Sequence, residues 1–151
     1  MSQLSKLLTK ETVRLKQPIS NWKEAIHLAG KLLVDSGDID PRYIDEAIQV
    51  ATDVGPYFVV RPSVAIAHGR PSPLVHRISL SMVTLNPAIE FGHEDNDPVS
   101  ILFLLAAIDN YSHIDVLEDL ARILSNDDLV SLLINIENPD ELRDFFIHLN
   151  S

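Results

Sequence analysis

Hydrophobic residues recur at helical spacing in two segments of the first third of the chain. Apolar positions three and four residues apart predict an amphipathic helix over residues 22–33, which ends at Ser36-Gly37. A second helix is predicted to open with Asp40 as its N-cap and Pro41 at its first position, and to reach Gly55-Pro56. The pattern therefore places two helices before the first strong strands.

The middle of the chain carries the spacing and composition of β-strands. Residues 57–60 and 64–67 read as short extended segments, and residues 78–85 alternate between apolar and polar side chains until Asn86-Pro87. Residues 99–107 are almost continuously apolar, which is typical of a central strand buried on both faces. These four segments predict the body of a β-sheet.

The last third of the chain returns to helical spacing. A helix is predicted from about Ser112 to Leu124, followed by two shorter helices capped by Ser125-Asn126 and by Asn138-Pro139. Phe145 and Phe146 of the last helix are expected in the core. This succession of helices and strands is the pattern of an α/β domain.

Composition and charge exclude several classes of protein. With 151 residues, 46% of them hydrophobic, residues 1–151 are expected to form one domain. The absence of cysteine excludes disulfides, thiolate metal sites and cysteine nucleophiles, and the net charge of −10 disfavours nucleic-acid partners. The N-terminus does not resemble a signal peptide, and no apolar run reaches the roughly 18 residues of a membrane span. We therefore expect a soluble, cytoplasmic protein.

The most informative segment is the end of the strand predicted at 64–67, where His68 is followed by Gly69, Arg70 and Pro71. An imidazole at a strand tip beside a cation suits an anion, above all a phosphoryl group. Gly69 removes bulk beside the ring, and the planar guanidinium of Arg70 matches phosphate oxygens. The alternative is that His68 is an ordinary polar residue that closes a strand.

A second histidine is predicted near the same place in the fold. His113 falls in the first turn of the helix that begins around Ser112, where free N–H groups and the helix dipole favour an anion. If the strands that end at Ala67 and Ala107 lie in one sheet, His68 and His113 reach the same edge. Taken alone, a histidine in the first turn of a helix is more often a solvated surface residue, so the hypothesis concerns His68 and His113 as a pair.

Other constellations are weaker. The segment from His93 to Pro98 is rich in oxygen ligands but lacks the glycine and distal glutamate of an EF-hand, so turn geometry is preferred over metal binding. The spacing of His68 and His76 fits no common zinc motif. The sequence has no serine nucleophile elbow, and without a phosphate-binding glycine loop a nucleotide cofactor is not expected. A metal cofactor is not expected either, because of this loop chemistry and histidine spacing.

Several separated segments, in order along nearly the whole chain, carry a family resemblance. The sequence resembles the enzyme IIA components of the bacterial sugar phosphotransferase system, in the mannitol/fructose superfamily and specifically its ascorbate branch. The segments are Asp40-Pro41-Arg42-Tyr43, Gly55-Pro56-Tyr57-Phe58-Val59, Ala67-His68-Gly69-Arg70-Pro71, Val83-Thr84-Leu85, His93-Glu94-Asp95-Asn96-Asp97-Pro98-Val99, and Ala106-Ala107-Ile108-Asp109 followed by His113.

The resemblance implies a mixed β-sheet flanked by helices on both sides, a three-layer sandwich. It implies that His68 accepts a phosphoryl group from the phosphocarrier protein HPr and passes it to a cysteine of the cognate enzyme IIB, while His113 helps to hold the phosphate. It also implies that the transported compound is ascorbate or a related sugar acid, which the membrane enzyme IIC admits and which never touches this subunit. Backbone N–H groups near Gly69 and the side chain of Arg70 are expected to contact phosphate oxygens.

Some residues depart from the family pattern. Ala67 and Ser63 stand where many relatives have proline and glycine, and residues 49–53 lack the arginine of mannitol-type members.

The leading hypothesis is a phosphotransferase with a phosphohistidine intermediate. The alternatives are a regulatory module that uses phosphorylation of His68 as a signal, and a metal-dependent hydrolase built on His93 and its acidic loop.

Overall fold

The structure, a computed structural model, describes residues 3–149. Its elements, in chain order, are α1 Leu4–Leu7, β1 Val13–Gln17, α2 Trp22–Asp35, α3 Arg42–Val54, a 3₁₀ turn Gly55–Phe58, β2 Val59–Arg61, β3 Val64–His68, β4 Ser79–Ile89, β5 Val99–Ala106, α4 Ile114–Leu124, α5 Asp127–Asn135 and α6 Pro139–Leu149. The strands form one sheet in the order β1-β4-β5-β3-β2. The sheet is mixed, because β1 with β4 and β3 with β5 are parallel pairs while the other two pairs are antiparallel.

Helices cover both faces of this sheet. Helices α2 and α3 supply one core, and α1 with α4 to α6 supply the other. Strand β5 contributes Leu102 and Leu104 to the first core and Ile101 and Phe103 to the second, since successive side chains of a strand point to opposite faces. The predicted three-layer α/β fold is confirmed, and so is the central strand buried on both faces.

The chain before the first predicted helix also folds into the sheet. Strand β1, Val13–Gln17, pairs in parallel with β4 at the sheet edge, so a short strand that the sequence pattern did not predict precedes the two helices. Only its first residue, Val13, is fully buried. Such a short edge strand buries too little apolar surface to produce a strong strand pattern.

Several predicted boundaries shift. Residues 55–58 form a 3₁₀ turn, and β2 begins only at Val59. Helix α3 begins at Arg42, one residue after the prediction, although Asp40 still accepts the Arg42 N–H at 2.9 Å. Strand β4 continues past Asn86-Pro87 to Ile89, because its register with β5 shifts there and a residue without an N–H is tolerated where the ladder is interrupted.

Helices α5 and α6 begin where they were predicted, whereas α4 begins at Ile114 rather than near Ser112. Phe145 and Phe146 of α6 are buried in the second core, with their rings in edge-to-face contact at 5.4 Å between centroids. Asn126 caps α5 by accepting the Leu129 N–H at 3.2 Å. Within residues 3–149, no helix is long and apolar enough to cross a membrane.

Candidate active site

The candidate site lies where two neighbouring strands end. Strands β3 and β5 run parallel, and His68, the last residue of β3, lies opposite Leu105. Strand alternation places His68 on the same sheet face as Val64 and Leu105, which is the face that α4 covers. His113 precedes α4, and both histidines line one cleft of about 440 Å³. The two strand ends therefore do bring His68 and His113 to one edge, as the sequence suggested.

The ring of His68 is oriented by its own backbone. Its Nδ1 lies 3.2 Å from the carbonyl oxygen of Gly69. Because a carbonyl oxygen only accepts hydrogen bonds, Nδ1 must carry the proton for this contact to be a bond. Nε2 is then left with a free lone pair on an exposed side chain. This is the protonation pattern that a nucleophilic imidazole requires.

His113 has the opposite arrangement. Helix α4 begins at Ile114, so His113 is its N-cap rather than a member of its first turn, and its side chain forms no capping bond. Its Nδ1 is buried and has no hydrogen-bond partner within residues 3–149. An N–H at that atom would be left unsatisfied, which favours the tautomer with the proton on Nε2. His113 thus lines the cleft as a potential hydrogen-bond donor.

A tight turn connects β5 to His113. The carboxylate of Asp109 accepts the N–H of Ser112 at 2.7 Å and that of Tyr111 at 2.8 Å. These two bonds hold the pKa of the Asp109 carboxyl below its ordinary value, and the bond from Ser112 has the larger effect. The carboxylate therefore stays ionised and keeps the turn closed at neutral pH, and this contribution is lost only as the pH falls through the lowered pKa.

The backbone after His68 is held by α3 and is not open to a phosphate. The Gly69 N–H donates to the hydroxyl of Tyr43 at 2.8 Å, and the Arg70 N–H donates to Oε1 of Glu46 at 3.0 Å. The prediction that backbone N–H groups near Gly69 contact phosphate is therefore wrong for these two groups, because both already have acceptors. The Arg70 side chain is exposed, and it is the one lysine or arginine among the described residues that line the cleft.

Tyr43 is one of the site residues that the sequence prediction missed. Its side chain is fully buried, and its hydroxyl donates to the Leu105 carbonyl at 3.3 Å while accepting the Gly69 N–H. Burial raises the pKa of this hydroxyl to about 12, so it keeps its proton at neutral pH. The available signal was its spacing from Ala47 and Ala51, which share the buried face of α3.

The same tyrosine explains why residue 69 is glycine. A Cβ on Gly69 would lie 2.8 Å from Cε1 and 2.9 Å from Cζ of Tyr43, whose ring has no room to move. We expect Gly69→Ala to lower the free energy of unfolding by about 1–3 kcal/mol through overpacking, as measured by urea denaturation. In a Tyr43→Leu background, which lacks both ring atoms, the same change should cost much less. An equal cost in both backgrounds would refute the steric explanation.

The remaining candidate residues lie outside the cleft. His93 Nδ1 accepts the N–H groups of Asp95 and Asn96, and the Asp97 carboxylate accepts those of Phe91 and Gly92. These side chains are therefore used to shape their own loop, as turn geometry predicts. Within residues 3–149, no three histidine, aspartate or glutamate side chains are grouped as a metal site.

The sequence of this chain matches one known protein family over most of its length. The model of the family described as "Phosphoenolpyruvate-dependent sugar phosphotransferase system, EIIA 2" matches residues 6–148. This chain belongs to that family. The predicted recognition is confirmed, and so is the predicted enzyme class, a phosphotransferase. The EIIA 2 family match spans both strand ends and both helices that build the cleft.

Individual relatives extend this result. The "Ascorbate-specific PTS system EIIA component" of Escherichia coli K12 is 37% identical over 137 residues, which cover 91% of this chain and 84% of that protein. The mannitol-specific cryptic phosphotransferase enzyme IIA of Escherichia coli is similar with a TM-score of 0.82 and 26% identity, over 95% of this chain and 97% of that one. A complex of enzyme IIA mannitol with phosphorylated enzyme IIB mannitol from Escherichia coli shares the fold, with a TM-score of 0.81 and 23% identity over 94% of this chain and 99% of that chain.

Proposed function

We propose that this EIIA component is a phosphoryl carrier that accepts phosphate from phosphorylated HPr on Nε2 of His68 and passes it to a cysteine of its cognate enzyme IIB. The observation that carries the proposal is the contact between His68 Nδ1 and the Gly69 carbonyl, since it leaves the Nε2 lone pair exposed in the cleft. A neutral imidazole with a free lone pair attacks phosphorus without a separate base.

The transfer needs only the residues of the cleft and the two partners. The Nε2 lone pair of His68 attacks phosphorus as the bond between phosphorus and its carrier atom on HPr breaks, and that bond's electron pair returns to HPr. Nδ1 keeps its proton, so the phosphorylated ring carries positive charge that the Gly69 carbonyl stabilises. In the second step the enzyme IIB thiolate attacks phosphorus, and the Nε2–P electron pair returns to His68.

Two side chains are assigned to the transferred phosphoryl group. His113 donates from Nε2 to an equatorial oxygen, and Arg70 supplies positive charge, because phosphoryl transfer depends mainly on position and on electrostatic stabilisation. Helix α3 contributes only apolar side chains to the cleft, among them Val50, Ala51 and Val54. Arg70 is therefore proposed to substitute for the arginine that residues 49–53 lack.

The proposed docking surface surrounds His68. It consists of exposed apolar side chains that line the cleft, namely Val54 (46% exposed), Tyr57 (77%), Val60 (49%) and Leu117 (36%). Exposed apolar side chains grouped around a reactive histidine favour a protein partner over a small polar substrate. HPr and enzyme IIB would use this surface in turn, and enzyme IIC would be reached only through enzyme IIB. We assign ascorbate or a related sugar acid as the transported compound from the name of the relative that is 37% identical, and the cytoplasm as the compartment.

The assay that tests this function follows label from phosphoenolpyruvate. Enzyme I, HPr and the full chain are mixed with labelled phosphoenolpyruvate, and the cognate enzyme IIB is then added. Acid-labile label on this protein that moves to enzyme IIB supports the carrier. Label that stays on this protein would instead favour the regulatory module, and no label at all would refute both.

The docking surface predicts a separate kinetic effect. Leu117→Asp places a charge in the apolar surface beside His68, and we expect it to raise the KM for phosphorylated HPr about tenfold with little change in kcat. Leu132→Asp is the matched control, because Leu132 is 53% exposed on α5 and does not line the cleft. Equal KM values for the two variants would contradict this docking surface.

A further inference from the structure

Helix α3 contacts both peptide groups that flank Gly69. The first, between His68 and Gly69, presents its N–H to the Tyr43 hydroxyl at 2.8 Å. The second, between Gly69 and Arg70, presents its N–H to Glu46 Oε1 at 3.0 Å. Tyr43 and Glu46 are three residues apart on one helix, so they face the same side of it. One helix thus fixes the orientation of two successive peptide planes immediately after the reactive histidine.

The second of these peptide groups also binds the imidazole. Its carbonyl oxygen, that of Gly69, is the atom that contacts Nδ1 of His68 at 3.2 Å. A single planar peptide unit therefore receives the Glu46 carboxylate at its N–H end and the imidazole at its carbonyl end. Hydrogen bonds in such a chain polarise one another, so a charged acceptor at one end strengthens the bond at the other.

We propose that Glu46, with Tyr43 beside it, is a positioning residue that fixes the tautomer and orientation of His68 through the peptide group between Gly69 and Arg70. The inference rests on the proposed phosphoryl transfer to His68. Glu46 has no contact with the phosphoryl group in this scheme. It holds the Gly69 carbonyl toward Nδ1, which keeps the proton there and leaves Nε2 unprotonated for attack. It also favours the positive charge that the ring acquires when Nε2 is phosphorylated.

Tyr43 completes the arrangement from the other peptide group. Its hydroxyl accepts the Gly69 N–H and donates to the carbonyl of Leu105, the residue opposite His68 in the β3–β5 pair. The hydroxyl thus ties the end of β3 to β5 beyond the last ladder position. A rotation of the Gly69 backbone would have to break the bonds to both Tyr43 and Glu46.

The test reads the tautomer directly and does not require phosphorylation. Histidine-labelled full-length protein is examined by long-range ¹H–¹⁵N correlation spectra, in which the protonated and unprotonated ring nitrogens are distinguished. Wild type is expected to hold the His68 proton on Nδ1. Glu46→Ala is expected to shift His68 towards a mixture of tautomers, whereas Glu46→Gln, which retains an acceptor oxygen, should restore the Nδ1–H form. Asp45→Ala is the matched control, since it removes the same charge from an exposed neighbour on α3.

The phosphorylation rate provides the second measurement. Glu46→Ala should lower kcat for phosphate acceptance from phosphorylated HPr about tenfold, with an unchanged KM. In metal sites, the loss of a group that orients a histidine ligand costs about 10- to 100-fold, and we expect the lower end of that range here. An unchanged tautomer or an unchanged kcat in Glu46→Ala would overturn the proposal, and so would an equal effect of Asp45→Ala. If wild type shows the Nδ1–H form but accepts no phosphate, the proposed function fails while the tautomer comparison still decides the role of Glu46.

Discussion

His68→Ala is expected to abolish phosphate acceptance while leaving the fold intact. The substitution removes the imidazole whose Nε2 lone pair faces the cleft, and with it the proposed covalent nucleophile. The rate should fall below about one thousandth of that of wild type, as expected for the loss of a covalent nucleophile. Label from phosphoenolpyruvate, in the presence of enzyme I and HPr, measures this directly.

The fold should tolerate this change because the His68 side chain is exposed and lies at the end of β3. The free energy of unfolding of His68→Ala is expected to stay within about 0.5 kcal/mol of the wild-type value, as for other exposed positions. His27→Ala is the matched control, since His27 is an exposed histidine of α2 that does not line the cleft. Stoichiometric label on His68→Ala would eliminate His68 as the phosphoryl acceptor.

The sequence predicted the elements that are long and strongly patterned. The apolar run 99–107 has the length and composition of a central strand buried on both faces, and it forms β5. The helical spacing at 22–33 likewise predicted α2. The short strand β1 was missed because its few residues make one parallel pairing at an edge, which depends on a partner about 70 residues away.

The site was predicted less completely because its contacts join distant parts of the chain. His68 and His113 were identifiable from local signals, a strand end and a helix start. Tyr43 and Glu46 act on residues that follow His68, at separations of 26 and 24 residues. A local sequence pattern does not indicate such a contact. The N–H groups near Gly69 were therefore predicted to contact phosphate, whereas those of Gly69 and Arg70 already have acceptors.

One departure from the family pattern gains a physical meaning from the structure. Ser63 has a φ of 73°, a left-handed conformation in which glycine is favoured. Glycine is the residue that the family resemblance placed there. The Ser63 carbonyl accepts the N–H groups of Ser100 and Ile101 at 2.8 and 3.0 Å, so the conformation connects the start of β3 to β5. Ser63 therefore adopts, in this chain, a backbone conformation that favours glycine.

The two faces of β3 contribute different parts of the site. On one face, α3 holds the backbone after His68 through Tyr43 and Glu46. On the other face, His113 is the N-cap of α4, and its position depends on the Asp109 turn. A fold shared with other EIIA proteins supplies both faces, but the function rests on which side chains they present. The role assigned to His113 is therefore the decisive test of the second face.

His113→Ala is expected to lower kcat for phosphate acceptance about 100-fold with little change in KM. The reason is that Nε2–H of His113 is proposed to donate to an oxygen whose negative charge develops during transfer, and the loss of one such preorganised donor typically costs about 10²–10³ in kcat. Single-turnover rates with phosphorylated HPr at increasing concentration separate kcat from KM.

A conservative variant distinguishes this role from a structural one. His113→Gln carries an amide N–H that can donate into the cleft, so it should recover part of the rate that His113→Ala loses. In the described part of the chain, the buried Nδ1 of His113 makes no hydrogen bond. Removing this atom in either variant therefore breaks no hydrogen bond and should not lower the free energy of unfolding. An equal loss of kcat in the two variants would contradict donation from residue 113, and a rise in KM at unchanged kcat would make His113 a docking residue. Its Nε2 would then not be the donor to the transferred phosphoryl group.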